Sequence, residues 1–177
     1  IPRRKQPHIY SDVEFSALLR ECSRLWPRDG LRPTTYVAFF SLLASTGLRL
    51  SEACRLDRRD VDLSKSLLTI RASKFRKSRL VPLHPTSVQG LTGYAARRDA
   101  FRDAPRSEFF FRTDQAPSLQ RAAIEKTFSR VRHRLGWTSH KRARRPRIHD
   151  IRHTFAVRRL LRWYEEGVDV NRKILAL

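Results

Sequence analysis

Residues 34–52 read TTYVAFFSLLASTGLRLSE and residues 149–156 read HDIRHTFA, and the relation between these two stretches decides the fold. From Thr34 to Ser45 apolar residues cover most of a helical circumference, which predicts a helix buried on all sides. Gly47 suits a left-handed cap at its end. A short helix is expected around residues 51–56, so the turn before it projects Arg49 from a rigid base. A guanidinium so placed can grip a phosphate with two parallel hydrogen bonds. Glu52, three residues on, can orient that arginine or cap the short helix. In the second stretch a helix from about His149 to Glu166 puts His149 and Arg152 on one face. They sit near a helix start, where unpaired N–H groups favour an anion. Each pattern alone is common on solvated helix ends, where an arginine merely balances the helix dipole. The weight comes from their conjunction on rigid elements flanked by apolar core.

Working outward, residues 1–10 begin IPRRKQP and read as a basic, extended leader, the remnant of a linker from another domain. Ser11-Asp12-Val13-Glu14 is a capping box. Phe15, Leu18, Leu19, Cys22 and Leu25 follow at helical spacing. Residues 27–33 form a loop. Leu67-Leu68-Thr69-Ile70 and Arg79-Leu80-Val81-Pro82-Leu83 predict two strands joined by a polar turn at residues 73–78. Asp57, Asp60 and Asp62 fall in a helix-to-strand loop. Pro85 opens a helix to about Phe101, and residues 107–111 read as a third short strand or an extended loop. A long helix is expected over residues 118–135, with Ile124, Phe128, Val131 and Leu135 along one face. The most basic loop, residues 141–147, follows. Beyond Gly167, Asp169 caps a final helix that runs to Leu177. The fold class is mainly α with a small antiparallel β-sheet (α+β), in one domain over residues 11–177.

The chain has 177 residues, 40% of them hydrophobic, enough for one domain with a real core. Lysine and arginine number 38 against 17 acids, a net charge of +21, and such a chain repels itself unless its partner is a polyanion. An arginine-rich proteome would explain arginine in place of lysine, but not the shortage of acids. No apolar run is long enough to cross a bilayer, and no secretory leader is visible. The chain starts at Ile1 and has no methionine, so it is expected to be a piece of a longer product. Cys22 and Cys54 match no metal spacing and read as buried reduced thiols, which points to the cytoplasm. No carboxylate cluster suits a metal nuclease, and no glycine-rich phosphate loop or nucleophile elbow is present. Neither metal nor cofactor is expected.

Lys74 lies between the two clusters, in a turn that reads RASKFRKSR from Arg71 to Arg79. A turn lysine is normally solvated, but a flexible ammonium there can also reach into a groove and give a proton to a leaving oxygen. Lys77 and Arg79 would then touch neighbouring phosphates. The TGLRLSEA block, the strand-turn-strand TIRASKFRKSRLVPLHP and the RIHDIRHTFAVRRLL helix, in this order and spacing, together resemble the catalytic domain of the tyrosine recombinases, the phage-integrase family. The resemblance runs from about Pro7 to Leu177.

It implies the family's catalytic-domain fold and site-specific breakage and rejoining of double-stranded DNA through a 3′-phosphotyrosyl intermediate. Arg49 and Arg152 would be the phosphate-gripping arginines, Lys74 the general acid, and His149 the residue that assists proton transfer. Glu52 falls on the acidic position that supports the first arginine, and His153 is a supporting or packing residue. Arg71, Lys77, Arg79, Lys141, Arg142, Arg144, Arg145 and Arg147 are the expected DNA-contacting residues. Family members work as a tetramer on DNA. Their nucleophilic tyrosine lies farther past the second arginine than the 25 residues that remain here. Tyr164, in mid-helix beside Trp163, reads as packing, so the chain is expected to lack its nucleophile and to be inactive alone. The open alternatives are a non-catalytic DNA-binding module derived from a recombinase, a type IB topoisomerase, and a basic RNA-binding protein. The last would show aromatic stacking platforms among its charges.

Overall fold

Helix α2 (Arg32–Thr46) is the axis of the fold, as its all-round apolar sequence requires. In the computed structural model, which describes residues 6–71, 78–101, 107–137 and 145–170, it packs most extensively against four other helices. These are α1 (Asp12–Ser23), α3 (Leu50–Cys54), α4 (Pro85–Ala100) and α6 (Ile148–Glu165). Helix α5 (Arg121–Arg134) closes the core against α1 and α3. Phe39 meets Phe111 edge-on at 5.2 Å, and Phe40 tilts against Phe128 at 5.9 Å. Such ring contacts add specific geometry to the burial of large apolar area.

The helix ends follow local chemistry where the partners are local. Ser11 accepts a hydrogen bond from the Glu14 amide at 3.1 Å, and the Glu14 carboxylate accepts one from the Ser11 amide at 2.8 Å. At α2 the cap is remote. Its N-cap residue Leu31 has no polar side chain, and Asp114 instead accepts from the Leu31 amide and, at 3.1 Å, from the Arg32 amide. Tyr10, assigned to the leader by sequence, is buried in the core. Its amide donates to Thr154 Oγ1 at 2.9 Å and its hydroxyl to the Arg147 carbonyl at 3.0 Å, so this end of the leader belongs to the domain.

The sheet has order β1 (Val61–Asp62), β2 (Leu67–Ile70), β3 (Arg79–Pro82), all antiparallel. Leu67 stands opposite Pro82 and Ile70 opposite Arg79. Leu68 and Ile70 point into the core. The third strand is therefore β1, entered from a 3-10 turn at Arg58–Asp60, and not residues 107–111. Those residues make a single bridge, Phe109 to Asp57, and bury Phe110 and Phe111 side by side. Two adjacent buried side chains lack the alternation of a sheet strand.

Helix α5 starts at Arg121, three residues later than expected, because Gln120 before it is extended (φ −79°, ψ 139°) and serves as its N-cap. Tyr164 does not pack: it is 74% exposed whereas Trp163 is buried. Neighbouring helical residues point about 100° apart, so only one of the two faces inward. Burial pushes the Cys22 thiol up to about 12 and the Cys54 thiol up to about 11, which keeps both protonated. Among the described residues no helix is long and apolar enough to cross a membrane. Lys74 and Lys77, Lys141, Arg142 and Arg144, and residues 171–177, where a final helix is expected, lie outside the described residues.

Candidate functional site

Gly47 joins the two sequence clusters. It caps α2 with φ 63°, and its amide donates to the Leu43 carbonyl at 2.9 Å. A Cβ there would stand 2.2 Å from Phe155 Cδ1, so α6 lies directly on the glycine. The Gly47 carbonyl in turn accepts a hydrogen bond from the Arg152 guanidinium. One residue without a side chain thus lets the end of α2 and the start of α6 meet, and brings Arg152 beside Arg49.

Arg49 occupies the N-cap position of α3. Its amide donates to Glu52 Oε2 and its Nη1 to Glu52 Oε1, both at 2.9 Å, so Glu52 caps the helix and holds the guanidinium together. Arg79 of β3 donates to the same carboxylate through Nη1 at 3.0 Å and Nη2 at 2.9 Å. Burial works to raise the pKa of Glu52, but the Arg79 guanidinium, the Arg49 amide and the Arg49 guanidinium outweigh it and hold it at about 2. The side chain, 7% exposed, is a buried anion between two cations.

Arg147 begins α6, and its amide and guanidinium donate to the fully buried Asp150 carboxylate at 2.9 Å and 2.8 Å. This fixes the first turn that carries His149 and Arg152. The His149 ring meets the His153 ring edge-on at 4.6 Å. Partial burial lowers the His149 pKa below 6.5, and His153, Arg147 and Arg152 lower it further against the opposing pull of Asp150. These surroundings favour the neutral form of the imidazole.

A cleft of about 540 Å³ opens between these elements, lined by Arg49, Arg121, Arg132, Arg147, His149 and Arg152 among others. Among the described residues that line it the one acid, Glu125, is paired with Arg121 at 2.8 Å. Sequence reasoning missed Arg121 and Arg132. They lie on one flank of α5 with Phe128 and Ser129, and a basic stripe beside an apolar face was the available signal. Arg132 is steadied by the Pro146 carbonyl at 3.2 Å. Of the other expected DNA contacts, Arg145 is exposed and Arg71 is ion-paired with the buried Asp60. Lys74, Lys77, Lys141, Arg142 and Arg144 lie outside the described residues.

A sequence profile of the Phage integrase family matches residues 12–172. The chain belongs to that family. Among its relatives is y4rE of Sinorhizobium fredii (strain NBRC 101917 / NGR234), provisionally assigned as an integrase/recombinase. It is 40% identical over 165 residues, which cover 93% of this chain and 52% of y4rE. The crystal structure of XerA recombinase superposes with a TM-score of 0.70 at 26% identity, over 94% of this chain and 54% of XerA. A lambda integrase tetramer bound to a Holliday junction shares the fold, with a TM-score of 0.66 at 14% identity over 96% of this chain and 46% of that one. The chain spans about half the length of the curated relatives it matches, 52% and 56% for two of them. This phage-integrase domain thus has the mainly helical catalytic-domain fold of the tyrosine recombinases, an enzyme class that recombines DNA.

Proposed function

We propose that the chain is the catalytic domain of a site-specific recombinase that cuts and rejoins duplex DNA through a 3′-phosphotyrosyl intermediate. The observation that carries this reading is the convergence of Arg49 and Arg152 on one basic cleft, joined at Gly47, with His149 beside them. In the attack, negative charge builds on the nonbridging phosphate oxygens, and two fixed guanidiniums stabilise it without reorganising. A tyrosine oxygen bonds to phosphorus and the bond to the 5′ oxygen breaks. His149 assists transfer of the tyrosine proton, and Lys74 protonates the leaving 5′ oxygen. The covalent link conserves the bond energy for rejoining, so the step requires neither metal nor nucleotide.

The attacking tyrosine comes from outside these residues. Tyr10, Tyr36 and Tyr94 are buried, and the exposed Tyr164 lies 12 residues along α6 from Arg152. At 1.5 Å per residue that is about 18 Å along the helix. The working form is a tetramer on double-stranded DNA, as lambda integrase is on a Holliday junction, and the compartment that fits two protonated thiols is the cytoplasm.

The test uses the natural protein that carries this domain together with its tyrosine, on a nicked duplex holding its recombination site. A covalent protein–DNA adduct is expected, and Arg49→Ala or Arg152→Ala should slow its formation by about 10²–10³-fold, the usual cost of one oxyanion donor. If that protein binds the site and forms no adduct, the domain is a non-catalytic DNA-binding module.

A further inference from the structure

Arg79 opens strand β3 next to the hairpin turn, a place where a basic residue would ordinarily serve the DNA backbone. Its guanidinium instead makes a two-pronged contact with Glu52, Nη1 to Oε1 at 3.0 Å and Nη2 to Oε2 at 2.9 Å. Each of those oxygens also takes one bond from Arg49, Oε1 from the guanidinium and Oε2 from the amide, both at 2.9 Å. The bonds from Arg49 all come from Glu52's own helix turn. Arg79 ties the carboxylate to a second element, strand β3, through both of its oxygens. Turning Arg79 toward a phosphate would break two charge-assisted bonds to a carboxylate that is 7% exposed, leaving a buried charge half-paired. The neighbouring strand repeats the device: Arg71, at the end of β2, is paired with Asp60, which is 4% exposed.

We infer that Arg79 is a positioning residue for the reaction: it fixes the plane of the Glu52 carboxylate, which aims the Arg49 guanidinium at the scissile phosphate, and it does not contact DNA. This rests on the recombinase reading above. Without Arg79 the Glu52 carboxylate is free to turn and take Arg49 with both oxygens, drawing the guanidinium out of the cleft. A shift of about 1 Å at a catalytic group costs up to about a hundredfold in rate.

Arg79→Ala and Arg79→Lys are to be compared with wild type in the natural protein that carries the tyrosine. The readouts are duplex affinity across salt and the single-turnover rate of adduct formation at saturating DNA. The expected result is a rate reduced about ten- to a hundredfold in Arg79→Ala, with affinity and salt slope unchanged. Lysine should restore part of the rate, and millimolar guanidinium, against sodium chloride at the same concentration, should restore Arg79→Ala. A salt slope reduced by about 0.9 with the saturated rate intact would make Arg79 a phosphate contact and overturn the inference. A slow variant with a lowered melting temperature and no guanidinium rescue would also overturn it, as a purely structural effect. If wild type itself forms no adduct, the recombinase reading fails, and the Arg49 side-chain Nε–H signal still decides the positioning role. That signal should shift and broaden in Arg79→Ala but not in Arg59→Ala, and an unchanged signal would end the inference.

Discussion

At Glu52, burial and hydrogen bonding pull in opposite directions and hydrogen bonding wins. Desolvation raises the carboxyl pKa, but bonds from Arg79 and from both the amide and the guanidinium of Arg49 bring it from 4.5 down to about 2. A carboxylate depressed in the folded state contributes stability that is present above its unfolded pKa and lost as pH falls through the folded one. The urea midpoint of the wild-type domain should therefore fall between pH 4.5 and about 2, and Glu52→Gln should flatten the curve in that window. An unchanged slope in the variant would show that other carboxylates carry the acid sensitivity. The i, i+3 spacing made the Arg49–Glu52 contact readable from sequence. The Arg79 contact crosses 27 residues and was not readable from sequence.

Between elements, the decisive junction is the end of α2 against the start of α6. Gly47 is required there twice, by its φ of 63° and by the 2.2 Å that would separate an added Cβ from Phe155. Gly47→Ala should destabilise the domain by about 1–3 kcal/mol, the range for overpacking and for a side chain forced into left-handed backbone. Adding Phe155→Ala should remove the steric part, so the double variant should be more stable in urea than the sum of the single costs implies. Strict additivity would mean that the two residues are not in contact. Helices α1, α2 and α6 were legible because apolar spacing and caps are local signals. The Asp114 cap of α2 and the two-residue strand β1 were not, since each depends on partners that only the fold brings near.

Across the molecule, the net charge is +21, and among the described residues five arginines line one cleft. Duplex DNA binding should weaken steeply with salt, with a log–log slope of about −0.9 for each phosphate contacted. A flat response would remove DNA as the partner. The two motif clusters named Arg49, His149 and Arg152 from sequence alone, and the structure brings all three to one cleft. The share of Arg121 and Arg132 in it was hidden, because a basic residue on α5 looks like any solvated surface position until the cleft is formed. The most direct measurement is a crystal structure of the domain with a duplex spanning its recombination site. A backbone phosphate should sit with its oxygens about 2.7–3.1 Å from the guanidiniums of both Arg49 and Arg152, beside His149. DNA lying along another face, with no phosphate in the cleft, would contradict the assignment of these residues to the scissile phosphate.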